Sequence, residues 1–299
     1  MLRLPHLDRM PVPRLRRRPS VAWSQAFERP QVVAHRGSST AVAEHTLGAY
    51  RRALEEGAEA LECDVRLTAD GHLVCVHDRR IDRTSNGRGS VSTLQLNELE
   101  SLDWASWKHP WRELDDEVEP LPETVLTLER LLDTVRDWGR PVDVAIETKH
   151  PTRYAGLVER TLIETLDRYG WARPRRGTSS PVRMMSFSWM SLRRCLELAP
   201  ALEMVYLMER VPLRFRDGSL PLGSRVAGPS MEIVRAHPEY VAKAHSAGNQ
   251  VHVWTVNEPA DVALCARLGV DAIITDNPAS VMAQLTTTVD AGWSSSPTS

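Results

Sequence analysis

From Val32 to about Leu285 the chain alternates short apolar runs with stretches of helical periodicity. Strands are predicted at Val32–His35, Ala58–Val65, Val142–Lys149, Arg183–Ser188, Glu203–Met208, Arg225–Pro229, Gln250–Val256 and Ala272–Thr275. Between them lie helical patterns at Glu44–Glu56, Leu126–Trp138, Ala155–Tyr169, Met190–Leu198, Pro238–Ala247 and Pro259–Leu268, with a last helix from Pro278 to Leu285. Asp70-Gly71 reads as a tight turn that sends the chain back through His72–His77 beside the second strand. Eight strands with intervening helices predict one α/β domain, a closed (β/α)8 TIM barrel over residues 30–285. Residues 79–122 interrupt the alternation; Trp104, Trp107 and Trp111, with a short helix near Leu94–Leu102, suggest a small packed insertion. Residues 1–29 read as a basic, flexible extension and 286–299, rich in Ser and Thr, as a disordered tail.

Composition narrows the picture. A net charge of −2 over 299 residues argues against a nucleic-acid partner. The total hides an asymmetry, since residues 1–18 hold six arginines and one aspartate and leave the rest strongly acidic. Weak contact of these arginines with an anionic membrane surface is a possible use. No run reaches the ~18 apolar residues that span a bilayer, and the stretch after Arg16-Arg17-Arg18 is too short and polar for a secretion signal. Cys63, Cys75, Cys195 and Cys265 are widely spaced in apolar or helical patterns, the mark of buried free thiols in a reducing cytoplasm. Oligomeric state is left open.

The candidate chemistry lies at the ends of the strands. Residues two apart on a strand share a face, so Glu62 and Asp64 point one way while Leu61, Cys63 and Val65 point the other. Side by side on a buried strand, two carboxylates repel unless a positive charge stands between them, and a hard divalent cation suits oxygen donors. A solvated outer face is the plainer explanation of one such pair. Against it, His35, Glu62, Asp64 and His77 fall in one window, and Glu147 and Lys149 repeat the arrangement. In a barrel of this kind the active site sits at the carboxyl ends of the strands, where His35, Asp64, Glu147, Lys149, Ser186, Trp254 and Asp276 all fall. Glu44 is either a site residue or the first-turn acid of its helix, and Asp276 is read as a cap of the last helix through Asn277-Pro278. His72, His150, His237, His245 and His252 are treated as structural.

The ordered set His35-Arg36-Gly37, Glu44-His45-Thr46, Glu62-Cys63-Asp64, His77-Asp78, Asp82-Arg83-Thr84-Ser85-Asn86-Gly87, Glu147-Thr148-Lys149, Ser186-Phe187, Trp254-Thr255-Val256-Asn257 and Thr275-Asp276-Asn277-Pro278 resembles the glycerophosphodiester phosphodiesterases over about residues 32–280. His45 departs from the pattern, which usually has Asn there. The resemblance implies a metal-dependent hydrolase that releases sn-glycerol 3-phosphate and an alcohol from a small glycerophosphodiester. His35 and His77 would be the acid/base pair, and Glu62, Asp64 and Glu147 would hold one divalent cation, Mg2+ or Ca2+. Arg36, Lys149 and Glu44 would serve the phosphate, with Phe187 and Trp254 against the substrate, and the insertion would wall one side of the pocket. Two alternatives stand beside it: a phospholipase-D-like hydrolase of lysophospholipids or sphingolipids, and a barrel that binds phosphodiesters without turnover.

Overall fold

Nine strands account for the sheet: β1 (Gln31–His35), β2 (Ala60–Leu67), β3 (Leu73–Cys75), β4 (Asp143–Thr148), β5 (Val182–Ser186), β6 (Glu203–Met208), β7 (Val226–Pro229), β8 (Gln250–Val253) and β9 (Ala272–Thr275). A computed structural model of the chain describes residues 29–108, 123–154, 156–221 and 223–290. The expected extension up to residue 28, Trp111 and residues 291–299 lie outside them. Eight strands run parallel in the ring order β1-β9-β8-β7-β6-β5-β4-β2, and pairing of β1 with β2 closes it. The short β3 lies antiparallel on the protruding end of β2, Val65 opposite Cys75, so the turn at Asp70-Gly71 brings the chain back as expected. That return carries His77 to the carboxyl rim.

The helices are α1 (Leu47–Glu55), α2 (Leu96–Glu100), α3 (Leu128–Arg136), α4 (Leu157–Arg168), α5 (Trp189–Leu198), α6 (Met231–Ala236), α7 (Glu239–Ser246), α8 (Pro259–Leu268) and α9 (Pro278–Asp290). Side-chain oxygens of Thr46, Thr127 and Ser188 cap α1, α3 and α5 by accepting a backbone N–H three residues on. None of the helices in the described residues is long and apolar enough to cross a membrane.

Three features differ from expectation. Helix α1 starts at Leu47 rather than Glu44, because His45 takes a left-handed φ of 61° that no helix accommodates. Helix α6 leaves no mark in the hydrophobic pattern; six residues are too few to show a period. Helix α9 runs on to Asp290, past the start of the expected disordered tail at 286. There the Thr286 and Thr287 hydroxyls donate back to the Met282 and Ala283 carbonyls, 2.8 and 2.9 Å, so these polar residues satisfy themselves within the helix.

Strict alternation sorts every barrel strand. Outward residues such as Val32, Ala34, Leu61, Cys63, Val144 and Ile146 join the main core under the helices. Inward residues form a separate apolar layer of Val33, Ala60, Ala145, Met185, Val205, Leu207, Val226, Ala272 and Ile274. That layer divides the barrel interior into two polar ends. Within the insertion, Ile81, Val91, Leu99 and Trp104 pack with Val74, Val76 and Val125 as a satellite core. The Trp104 indole donates to the Leu99 carbonyl (2.9 Å), and Trp107 donates to the Trp104 carbonyl (3.0 Å), so this segment is held by its tryptophans.

Candidate active site

Just beyond the apolar layer, β2 presents Glu62 and Asp64 inward and β4 presents Glu147, with Asp64 opposite Glu147 in register. All three are buried, and each offers a carboxylate oxygen within 4.8 Å of the others. Among the described residues one ammonium stands with them. Lys149 Nζ lies 2.9 Å from Asp64 Oδ1 and 2.8 Å from Glu147 Oε1. Burial and the charge of Asp64 push Glu147 up to about 8 and Glu62 well above the carboxylate range. Asp64 goes the other way: against burial, Lys149, His45 and Arg36 hold it far below its ordinary value. An all-oxygen set of three buried carboxylates converging within 4.8 Å matches what a hard divalent cation takes, and these three residues fit one.

Two histidines flank the carboxylates, each with its Nδ1 held by an aspartate. His35 Nδ1 is 2.6 Å from Asp276 Oδ1, and His77 Nδ1 is 2.7 Å from Asp78 Oδ1. Despite burial, Asp276 is held at about 2 by His35, Asn257 and Ser39, and Asp78 at about 2 by Arg83 and His77. Ionised carboxylates only accept, so these partners assign the proton of each ring to Nδ1 and free Nε2 for chemistry. His35 Nε2 lies 4.0 Å from Glu62 Oε2. Burial draws His77 down to about 4, with Asp64 opposing, so this ring is neutral at physiological pH.

Arg36 takes a left-handed φ of 59°, which lets its backbone N–H reach the Glu62 carboxylate (3.1 Å) while its side chain turns to Asp64 Oδ2 (3.2 Å) and Glu44 Oε1 (3.0 Å). Strained backbone of this sort gathers at functional sites. Glu44 itself does not line the cavity. It bridges Arg36 to Arg83, which grips it through both Nη atoms (2.7 and 2.8 Å) and donates Nε to Asp78 (2.6 Å). Burial opposes ionisation of Glu44, but these arginines hold it at about 2. A continuous line Arg36–Glu44–Arg83–Asp78–His77 therefore sets the position of the second histidine. Lys149 and Arg36, the two cations expected at the phosphate, both meet the carboxylates directly.

His45, the departure from the family pattern, stands behind the site. Its Nε2 is 2.9 Å from Asp64 Oδ2, and burial lowers its pKa. Tyr50 Oη lies 2.8 Å from Nδ1 and donates to the Glu62 backbone carbonyl (3.0 Å), so one buried pair backs the Asp64 carboxylate and the β2 backbone at Glu62.

The cavity above these groups measures about 140 Å³ and is lined by His35, Arg36, Glu62, His77, Glu147 and Lys149 on one side. Phe187, Trp254, Met185, Leu207 and Ile274 close the other. Phe187 and Trp254 meet edge to face at 5.3 Å, and the Trp254 indole donates to the Gly228 carbonyl (2.7 Å), so an aromatic wall faces the charged one. Ser186 points away, donating to the Thr148 carbonyl (3.0 Å). Three residues gain a place at the site that their sequence neighbourhood does not give them. Asp276 has the local look of a cap but orients His35, while its neighbour Asn277 does the capping by accepting from Ser280 N–H (3.2 Å). Arg83, inside the Asp82–Gly87 motif, ties Glu44 to Asp78. Glu209 lines the cavity and stands in the inward register of β6, two residues past Leu207.

Comparison with known proteins agrees with this geometry. Residues 35–280 match the model of the glycerophosphoryl diester phosphodiesterase family. The chain is 43% identical over 256 residues to a probable glycerophosphodiester phosphodiesterase 1 of Mycobacterium tuberculosis, covering 86% of this chain and 92% of that one. It is 32% identical over 248 residues to a glycerophosphodiester phosphodiesterase of Bacillus subtilis, covering 82% and 83%. Among solved structures, an Oleispira antarctica phosphodiesterase in complex with the product sn-glycerol-3-phosphate superposes with a TM-score of 0.73 at 25% identity, over 86% of this chain and 97% of that one. A Silicibacter pomeroyi protein described as a glycerophosphoryl diester phosphodiesterase gives a TM-score of 0.73 at 26% identity, over 87% and 96%. The chain belongs to the glycerophosphoryl diester phosphodiesterase family and is an enzyme of it.

Proposed function

We propose that the protein hydrolyses glycerophosphodiesters to sn-glycerol 3-phosphate and an alcohol, with a divalent cation, Mg2+ or Ca2+, held by Glu62, Asp64 and Glu147. The observation that carries this reading is the convergence of three carboxylates within 4.8 Å and two aspartate-held histidines on one cavity. The cation, when bound, supplies Lewis-acid stabilisation of the phosphate oxygens. The chain's own groups do the rest. Lys149 and Arg36 add fixed positive charge beside the phosphate. One of His35 and His77, neutral at the start, takes at Nε2 the proton of the attacking hydroxyl as its oxygen bonds to phosphorus; the other, entering as imidazolium, gives its Nε2 proton to the alcohol oxygen as the P–O bond to it breaks. Asp276 and Asp78 hold the rings and stabilise whichever becomes imidazolium. Phe187 and Trp254 offer the carbon face of glycerol an apolar wall. The Oleispira antarctica relative, solved with sn-glycerol-3-phosphate, supports that product. The four cysteines are free and buried, which suits the cytoplasm as its place of work.

The test measures glycerol 3-phosphate released from glycerophosphocholine and glycerophosphoethanolamine, with EDTA and then with either cation restored. Release should stop with EDTA and return with the cation. His35→Ala and His77→Ala should each lower turnover by about a thousandfold or more while calorimetry still detects cation binding. Release that ignores EDTA would remove the metal from the reading, and near-normal turnover in either variant would remove the histidine pair. Turnover of lysophospholipids alone would shift the substrate to the lipid class.

A further inference from the structure

Charge reverses along the inward face of β2. Glu62 and Asp64 belong to the carboxylate cluster, and Arg66, two residues on, continues the same face past the rim. Its guanidinium is fixed by two hydrogen bonds to the His77 carbonyl, from Nε at 2.9 Å and Nη2 at 2.6 Å. The strand β4 makes the same change from Glu147 to Lys149. Arg66 and Lys149 line a second recess, and Lys149 is the residue it shares with the catalytic cavity.

Arg79 from the insertion and Arg153 from the segment after β4 also line this recess. The two segments are tied together where Tyr154 Oη donates to the Ser92 carbonyl (2.7 Å). Four basic side chains thus surround it, and among the described residues no carboxylate lines it. Among those residues neither Arg79 nor Arg153 has an ion-pair partner; Arg153 only lies over the Tyr154 ring, 5.9 Å from its centre. Thr152 Oγ1, buried in the same wall, has no hydrogen-bond partner. Lys149 already answers Asp64 and Glu147, so the unmatched charge of the recess is that of Arg66, Arg79 and Arg153; beside an unused hydroxyl, these describe a receptor for an anionic group. The recess holds about 30 Å³, room for one small group and not for a sugar.

We propose that this recess receives an anionic group on the alcohol half of the substrate. The enzyme then prefers glycerophosphodiesters whose head alcohol bears a further phosphate or carboxylate over those with a neutral or quaternary ammonium head. The proposal rests on the hydrolytic reading above, which puts the phosphodiester at the neighbouring carboxylates and Lys149. A trimethylammonium head would meet the like charges of Arg66, Arg79 and Arg153, whereas a terminal phosphate would meet their hydrogen-bond donors.

The experiment compares kcat/KM for glycerophosphoglycerol, the same diester phosphorylated on its terminal hydroxyl, and glycerophosphocholine. Arg79 and Arg153 are exposed, so the double variant Arg79→Gln/Arg153→Gln should fold normally. In the native enzyme the phosphorylated head should be favoured over the neutral one by about tenfold. The double variant should bring that ratio close to one while leaving glycerophosphoglycerol turnover unchanged, and Arg79→Lys/Arg153→Lys should restore most of it. Equal rates on all three substrates, or a ratio that survives the double glutamine variant, would overturn the recess while leaving the reaction intact. Turnover of none of them would overturn the hydrolytic reading itself, and the recess with it.

Discussion

Two cations stand at opposite ends of the barrel interior, a buried Arg183 at the amino end and a half-buried Lys149 at the carboxyl end, with the apolar layer between them. Arg183 reaches the Gln31 side chain and the His252 ring (3.1 Å), and Gln31 passes a hydrogen bond on to Asp143 (2.8 Å). Burial holds Asp143 up to about 6 and also raises Glu203, with Arg183 opposing both, and it drives His252 well below the usual range, which leaves that ring neutral. Lys149 stands among carboxylates instead, bonded to Asp64 and Glu147, and there burial and the charge of Asp64 still raise Glu62 and Glu147. Burial of polar groups is common to both ends. What separates a structural plug from a site is whether the cluster settles its own charge or leaves a demand that something from outside must meet.

Replacing Glu147 with Gln gives the largest expected effect. Turnover should fall by about a thousandfold, since an oxygen donor at the cation position is lost. Thermal unfolding of the metal-free protein should stay level or move upward, because the change relieves repulsion. Addition of Mg2+ or Ca2+ should raise the unfolding temperature of the native chain and not of this variant. A variant that unfolds much earlier would show that the carboxylates serve structure first.

Arg183→Met tests the other end and should act in the opposite sense. It leaves Asp143 and Glu203 facing each other without their cation, which should lower stability by about 3–5 kcal/mol in denaturant titration. Turnover per folded molecule should stay within about twofold, because the apolar layer isolates the two ends. Loss of activity without loss of stability would couple the ends and dissolve the contrast.

The smallest effect is a pH dependence. Asp143 sits at about 6 in the fold against an ordinary 3.8, so the folded chain binds this proton more tightly than the unfolded one. Its contribution to stability is therefore present below about 4 and lost as pH rises through 6. Asp143→Asn keeps an acceptor for Gln31 and should remove that decline, leaving the variant about 3 kcal/mol more stable than the native chain at pH 7 and close to it near pH 4. A constant difference across that range would show that Asp143 does not titrate there.

Much of the carboxyl end can be read from the chain because the information is local. Glu62-Cys63-Asp64 and Glu147-Thr148-Lys149 carry strand alternation and charge in three residues each, and the pairing of β2 with β4 only brings the two together. Asp276 misleads for the same reason: beside Asn-Pro it has the local look of a cap. Only its register with Ala272 and Ile274 marks it as inward. The onset of α1 depends on His45 turning to Asp64, a contact across 19 positions that no helical pattern contains. The amino-end cluster is harder still. Gln31, Asp143, Arg183 and His252 are isolated polar residues on four strands, joined only when the ring closes. The recess basic residues likewise come from three separate segments, and His77 reaches the site only through the β3 return.

The bond between His35 and Asp276 crosses the seam where the first and last strands of the ring meet, 241 positions apart in the chain. Contacts of such separation close late, after the loops between them have been ordered. A nascent chain therefore has its carboxylates, its arginines and its second histidine assembled on the early strands before the first histidine has an orienting partner. Premature termination or a proteolytic nick that releases β9 would leave that imidazole unanchored even where every other site residue survives. On the proposed chemistry, turnover would report the completion of the ring.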